Sequence, residues 1–117
     1  MSRLFDELRD AGCDPEAGTH RLMNNEELYC KYLRDYPPYS AEIDFEGDYR
    51  RGDRISAEKH AHILKGLTGN LSLDPLHKAY SKVVDSLRKG IGDYDELAQD
   101  AIELEHKVRD IIENSDK

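Results

Sequence analysis

A histidine, a lysine and two glycines fall on one face of a predicted helix, where they could act together. If each helical residue turns by about 100°, Gly66 lies at about 40° and Gly69 at about 340° from His62. Lys65 lies at about 300° on the same scale, one turn after the histidine. The apolar residues of this helix, including Leu64, collect on the opposite side. We therefore expect His62 to face solvent.

These residue types are suited to carrying a phosphoryl group. An imidazole is substantially neutral near pH 7, so its free ring nitrogen can attack phosphorus without a separate base. This makes His62 the candidate nucleophile. Phosphoryl transfer depends mostly on positioning and charge stabilisation, and the Lys65 ammonium can neutralise phosphate oxygens from one turn away. The pattern therefore predicts a phosphoryl carrier without a catalytic triad.

The two glycines of this face admit two interpretations. Glycine inside a helix costs about 1 kcal/mol relative to alanine. Gly66 and Gly69 would justify that cost by leaving room for a partner beside the imidazole. Alternatively, they would mark a close contact with another helix, because small residues let backbones approach. Ile55, at about 20° and two turns before His62, is the apolar residue that we expect in the partner's contact patch.

Length and charge limit the classes of function. The chain has 117 residues, which suits a single domain over residues 1–117. Its 17 basic and 25 acidic side chains give a net charge of −8, which opposes binding to a nucleic-acid backbone. No apolar run approaches the roughly 20 residues that span a bilayer, and the N-terminus lacks a signal-peptide core. We therefore expect a cytoplasmic protein that binds neither nucleic acid nor membrane.

The other histidines and the cysteines predict no metal site and no disulfide framework. Cys13 and Cys30 have no CxxC partner. His60 and His62 lie about 160–200° apart on a helix, so their rings cannot chelate one ion. A helical zinc pair needs a spacing of about four residues, as in HExxH motifs. We expect His60 at the edge of the core and His77 on the surface.

Glycines, prolines and aspartates mark the helix boundaries of the first half. A short first helix should end at Gly12, and Asp14–Pro15 should begin the second with a cap and a first-turn proline. The third helix should end at Pro37–Pro38, which remove two amide donors. The segment from Tyr39 to Arg51 is also interpreted as helical, although Gly47 weakens it.

The second half divides in the same way. A glycine closes each of two helices, and an aspartate caps the helix that follows. Gly52 should end one helix, and Asp53 should cap the next, which runs to about Leu71. Asp74–Pro75 should begin the following helix and Gly90 should end it. Asp93 or Asp95 should begin the last helix.

The resulting elements are amphipathic helices with short connections and no strand pattern. Short loops make neighbouring helices antiparallel, and each apolar stripe needs a partner. We expect the stripe tyrosines Tyr29, Tyr32 and Tyr80 to lie in the core. The sequence therefore predicts an all-α fold, namely an up-and-down four-helix bundle with an additional short N-terminal helix.

One known family combines these features. The run Ala61–Gly66, followed by Gly69–Asn70, resembles the signature of the histidine-containing phosphotransfer domain of bacterial multistep phosphorelays. The likeness covers most of the chain. Its other matching segments are Phe5–Leu8, Gly12–Asp14, Arg21–Asn24, Glu27–Tyr29 and Gly52–Asp53.

The resemblance implies roles for individual residues. His62 matches the phosphoacceptor, reacting through its outer ring nitrogen, Lys65 the phosphate-neutralising lysine, and Gly66 the small residue beside the ring. In this family the phosphoryl group passes reversibly between the histidine and an aspartate of a response-regulator receiver domain. The receiver's own magnesium ion assists the transfer, so this chain needs no cofactor. A hybrid histidine kinase is a further expected partner. The resemblance also implies that the chain is a monomeric phosphoryl carrier and not a self-contained turnover enzyme.

Two other functions stay open from the residues alone. A non-catalytic acidic helical adaptor would bind a protein partner without being phosphorylated, and it would carry no acid-labile, base-stable phosphate after exposure to a phosphodonor. A metal-binding bundle would retain zinc through His60 or His77, but no ligand spacing supports it.

Overall fold

All regular secondary structure in the described chain is α-helical. The computed structural model describes residues 3–90 and 93–114. The all-α prediction is confirmed. In the described residues, no helix combines the length and the apolar composition needed to cross a membrane. The helices are α1 (Arg3–Asp10), α2 (Pro15–Arg21), α3 (Glu26–Ile43), α4 (Phe45–Arg51), α5 (Arg54–Asn70), α6 (Asp74–Lys89) and α7 (Asp95–Asn114).

Four long helices make most of the packing contacts. Helix α5 packs most extensively against α6, α6 also packs against α7, and α7 contacts α3. The short helices cover this group: α1 packs on α7, α2 on α3, and α4 on both α5 and α7. The largest fully buried side chains at the centre include Tyr29, Leu33, Leu64, Leu76, Tyr80, Val83, Val84 and Val108.

The predicted end of α1 and the predicted start of α2 are confirmed. Gly12 follows α1 with a φ of +94°, a conformation that favours glycine. The Asp14 side chain then accepts a hydrogen bond from the amide of Ala17 at 3.0 Å. Pro15 is the first residue of α2, where a missing amide donor costs nothing.

Helix α3 continues through Pro37 and Pro38, so the prediction that it ends there is wrong. The two prolines remove amide donors from the helix, and contacts with α7 hold the turns that follow. Pro37 and Ser40 are buried. The Ser40 hydroxyl donates to the Pro37 carbonyl at 3.2 Å and accepts from Nε of Arg109 at 3.0 Å. Tertiary packing therefore outweighs the local preference, and α3 ends at Ile43.

The segment from Tyr39 to Arg51 is helical, as predicted, but it is divided between two helices. Asp44 separates α3 from α4 with a φ of +57°. Gly52 ends α4 with a φ of +71°, and Asp53 caps α5. These last two boundaries agree with the prediction.

A short turn over residues 71–73 joins α5 to α6. Pro75 lies in the first turn of α6, as expected, but the prediction that Asp74 caps this helix is wrong. The helix begins at Asp74 itself, so Leu73 occupies the capping position and offers no side-chain acceptor. Gly90 ends the helix with a φ of +63°.

A polar network crosses the core where α3, α6 and α7 meet. Glu105 is buried, and its Oε1 accepts hydrogen bonds from the hydroxyls of Tyr36 and Tyr80, each at 2.7 Å. Its Oε2 accepts from Nε of Arg109 at 2.7 Å. A buried carboxylate is tolerated when a cation and hydrogen bonds compensate for lost water. The network therefore links three of the four long helices through a single side chain.

Candidate functional site

His62 lies in the middle of α5 and is exposed. The opposite face of the helix is buried and consists of Ala57, Ala61, Leu64 and Thr68, so the burial predicted for the side that carries Leu64 is confirmed. The start of the helix is stabilised by Asp53, whose side chain accepts from the amide of Ser56 at 3.1 Å. The same hydrogen bond lowers the pKa of Asp53. A capped, packed helix thus holds the imidazole in solvent.

Ile55 extends this exposed face towards the start of α5. Its side chain is 86% exposed, which is unusual for isoleucine. Two helical turns separate it from His62. It is therefore free to contact a partner that covers the histidine.

A second cation, Arg88 of α6, lies beside the imidazole. Its Nη2 is 3.5 Å from Nδ1 of His62. The guanidinium is also paired with Glu58, whose Oε2 lies 3.5 Å from the arginine Nε. Glu58 precedes His62 by one turn of α5, so the carboxylate holds the arginine near the ring.

Lys65 follows His62 by one turn and is half-buried. Within residues 3–90 and 93–114, its ammonium makes no hydrogen bond or ion pair. Its backbone is anchored instead, because Nδ1 of His77 donates a hydrogen bond to the Lys65 carbonyl at 2.8 Å. The backbone of the lysine is thus fixed against α6, while its charge stays available to an anion.

The two glycines of the face have different surroundings. Gly66 is exposed, and a Cβ built on it would meet nothing within 4 Å. At Gly69 a Cβ would lie 2.9 Å from Nδ1 of His77. Gly69 therefore marks a close contact with another helix, which is the second of the two interpretations given for these glycines. It faces α6 and does not open an approach to the ring. Gly66 alone leaves open space beside His62.

The neighbouring histidines belong to internal contacts. Nδ1 of His60 lies 2.5 Å from Oδ2 of Asp48, a buried carboxylate that also pairs with Arg51 at 2.8 Å. His60 is 27% exposed, which confirms its expected place at the edge of the core. His77 is half-buried between α5 and α6, so its predicted surface position is wrong. In the part of the chain that the structure describes, no three His, Cys, Asp or Glu side chains form a group that could hold a metal ion.

Two features of the surface were missed from the sequence. Arg88 reaches His62 across the α5–α6 contact, and its only local signal is that it lies in the basic last turn of α6. Tyr32 was expected in the core but is 42% exposed, whereas Tyr29 and Tyr80 are buried as predicted. Both misses depend on how helices pack together, which helical periodicity does not report.

Comparison with known proteins gives no match, whether against family models, curated proteins or solved structures. What supports a function is therefore the arrangement of His62, Lys65, Gly66 and Arg88 around one open face. A guanidinium beside an exposed imidazole, with a lysine one helical turn away in the sequence, favours an anionic substrate, and the bare backbone at Gly66 favours a large one.

Proposed function

We propose that this protein is a phosphorelay intermediate that accepts a phosphoryl group on His62 and donates it again. The observation that carries the proposal is an exposed imidazole with one cation from its own helix and another from the adjacent helix. Its partners would be the aspartates of response-regulator receiver domains, with a hybrid histidine kinase as a further source of phosphate. Transfer would occur in the cytoplasm, with this chain acting as a monomer.

The reaction needs little from the carrier beyond positioning and charge. The lone pair of Nε2 of His62 attacks the phosphorus of an aspartyl phosphate, a P–N bond forms, and the P–O bond to the partner's carboxylate breaks. The carboxylate leaves as an anion, and the proton on Nδ1 is shed to water or kept by the ring. Lys65 and Arg88 compensate the negative charge of the phosphoryl oxygens during transfer. The magnesium ion that assists this step belongs to the receiver.

Access to the ring favours Nε2 as the reacting atom. The guanidinium approaches the ring from the Nδ1 side, at 3.5 Å. The opposite nitrogen, Nε2, is the one left open to a partner. Because a guanidinium only donates, the ring proton must move from Nε2 to Nδ1, and Arg88 must release Nδ1, before Nε2 attacks. Because phosphoryl transfer requires the attacking and leaving atoms to be in line, an open approach to Nε2 matters more than an additional base.

We also infer how the helices support this function. The long helices α3, α5, α6 and α7 would form the up-and-down four-helix bundle, with α1 as the additional N-terminal helix. Helices α2 and α4 extend that plan. A bundle of this kind carries the histidine on a rigid helix, which keeps the ring within reach of successive partners.

The test is transfer of label from a phosphorylated receiver domain to the purified protein. Wild-type protein should acquire an acid-labile, base-stable phosphate, and His62→Gln should acquire none. His20→Gln is the matched control, because His20 is exposed on α2 and should leave transfer unchanged. Equal labelling of His62→Gln and wild type would refute the assignment. A protein that binds the receiver but is never labelled would instead be the acidic adaptor.

A further inference from the structure

A groove of about 530 Å³ opens between α3 and the C-terminal half of α5. We call it the tyrosine groove and define it by Leu22, Tyr32, Tyr39, Leu67 and Leu71, which all line it. Small organic ligands of proteins typically occupy clefts of about 300–1,000 Å³. The tyrosine groove therefore has the size of a small-molecule site.

The surface of the tyrosine groove is mainly apolar. Tyr32 is 42% exposed and Tyr39 is 49% exposed, and their spacing of seven residues places both rings on the same face of α3. Tyr36, between them in the sequence, also lines the groove, but its hydroxyl donates to the buried Glu105 at 2.7 Å. Tyr36 therefore offers the groove its ring alone. A flat apolar molecule can pack favourably on aromatic rings of this kind.

One cation of the tyrosine groove, Arg21 at the end of α2, is fixed in position. Its Nη1 donates to the carbonyl of Asn70 at 3.2 Å and to the hydroxyl of Ser72. Asn70 is the last residue of α5, and the final carbonyls of a helix have no partner within it. The arginine is thus held against the end of α5.

The charge of Arg21 is not compensated by a carboxylate. Both of its acceptors are neutral, and its Nε and Nη2 donate to no group within the described ranges. Asp35 also lines the groove, but Lys31 pairs with it at 3.0 Å. Nε and Nη2 form one edge of the guanidinium, and two parallel donors of this kind match the two oxygens of a carboxylate. The groove therefore combines an apolar wall with a free site for one anionic group.

We propose that the tyrosine groove binds a small aromatic carboxylate. The ring of the ligand packs on Tyr32 and Tyr39, and its carboxylate pairs with Nε and Nη2 of Arg21. Recognition depends on both parts, so a neutral aromatic molecule and a small anion without a ring both bind weakly. This binding does not depend on phosphorylation of His62.

The test is an NMR titration of the isotope-labelled protein with two probes, the rigid naphthalene-2-carboxylate and the flexible 3-phenylpropanoate. Chemical shifts should change mainly at amides of α3 and of the last turn of α5. The Kd should be about 1 mM or lower, as expected for ligands of about 13 non-hydrogen atoms. Naphthalene-2-carboxamide has the same shape without the charge, and it should bind about tenfold more weakly or worse.

Variants of the protein test each half of the site. Arg21→Gln and Tyr32→Ala should each raise the Kd for the naphthalene acid about tenfold, because each removes one main contact. Both side chains are exposed, so the fold should persist, which circular dichroism can check. Lys59→Gln removes an exposed cation of α5 outside the groove and is the matched control. Lys59→Gln and His62→Gln should both bind as the wild type does.

Four outcomes would overturn the site. The first is the absence of shifts with either acid at concentrations up to about 10 mM. The second is equal affinity for the naphthalene acid and its carboxamide, because Arg21 would then contribute nothing. The third is binding that is lost in Arg88→Ala but kept in Arg21→Gln, which would place the acid beside His62. The fourth is a shift of the groove amides on raising the protein concentration alone, because a second copy would then occupy the groove.

Discussion

Arg88 places a guanidinium nitrogen 3.5 Å from Nδ1 of His62, although 26 residues separate the two in the chain. The arginine is held there by Glu58, which belongs to the same helix as the histidine. One face of α5 thus combines an exposed imidazole with a guanidinium supplied by α6. The contributions of the two side chains to the proposed phosphoryl transfer can be separated.

Replacement of Arg88 by alanine should slow transfer without unfolding the protein. The side chain is exposed, and its loss removes a charge-assisted donor to the phosphoryl oxygens. We expect the rate at saturating receiver to fall by about tenfold or more. Rapid-quench measurement of label transfer tests this, with Lys82→Ala of the same helix as the control. An unchanged rate would remove Arg88 from the site.

Glu58→Gln should have a smaller effect of the same kind. The pair is partly exposed, and pairs of this type contribute about 0–1 kcal/mol, or up to about fivefold in rate if all of it positions the arginine. In an Arg88→Ala background the same change should do nothing more, since the carboxylate acts only through the guanidinium. A further loss of rate in the double variant would show that Glu58 acts independently of Arg88.

The two glycines of the motif should respond oppositely to alanine. Gly66→Ala places a methyl group in open space and should stabilise the protein by about 1 kcal/mol through helix propensity. Gly69→Ala should destabilise it, because the methyl group would lie 2.9 Å from the His77 ring and disturb its hydrogen bond to Lys65. Urea denaturation measures both. Equal shifts of the two midpoints would contradict the assigned surroundings.

Gly66→Ala should also separate stability from function. If the partner covers the face of His62, the added methyl group should slow transfer from the receiver even though the fold gains stability. Phosphoramidate is small enough to serve as the control donor, and its labelling of His62 should change little. Receiver transfer at the wild-type rate would mean that the space above Gly66 stays uncovered during docking.

Tyr36→Phe and Tyr80→Phe test the buried network around Glu105. Both hydroxyls donate to the same carboxylate oxygen, so either single change leaves one donor and should cost about 1 kcal/mol. The double variant leaves that oxygen without either tyrosine donor and should cost more than the two single changes together. A simple sum of the single effects, measured by urea denaturation, would show that the donors act independently.

Stability should fall at alkaline pH. Burial raises the pKa of the Cys13 thiol to about 11 from a reference of 9.0, and it also raises the pKa of Tyr29 and Tyr36. The unfolded chain then loses these protons at lower pH than the folded one. The stability due to the neutral thiol is complete below about pH 9 and is lost as the pH rises towards 11. Urea midpoints across this range should decrease, and Cys13→Ala should decrease less; equal slopes would argue against the thiol.

Part of the site could be predicted because it depends on one helix. The apolar stripe of α5 defines its buried face, so the exposure of His62 follows from helical rotation alone. The caps at Asp14 and Asp53 are equally local, since each carboxylate meets an amide three residues later. Sequence periodicity describes contacts between residues that are at most four positions apart in the chain.

The rest depends on contacts between helices. Arg88 lies beside His62, and His77 lies beside Gly69, because α6 packs against α5 in one register. Helix α3 passes Pro37 because Arg109 of α7 holds Ser40. Local helix propensity predicts that α3 ends at Pro37, because propensity does not include contacts with residues that are distant in the sequence.

The turn at residues 71–73 acts as the fold point of a hairpin. Gly69 and His77 lie equally far before and after Leu73, and so do Glu58 and Arg88. Inserting or deleting one residue in α6 before the arginine would swing its side chain by about 100° and shift it by about 1.5 Å. The position of Arg88 beside His62 is therefore set by its number of residues from the turn rather than by any motif around it. A chain that keeps its histidine but changes that number would lose the guanidinium from this face.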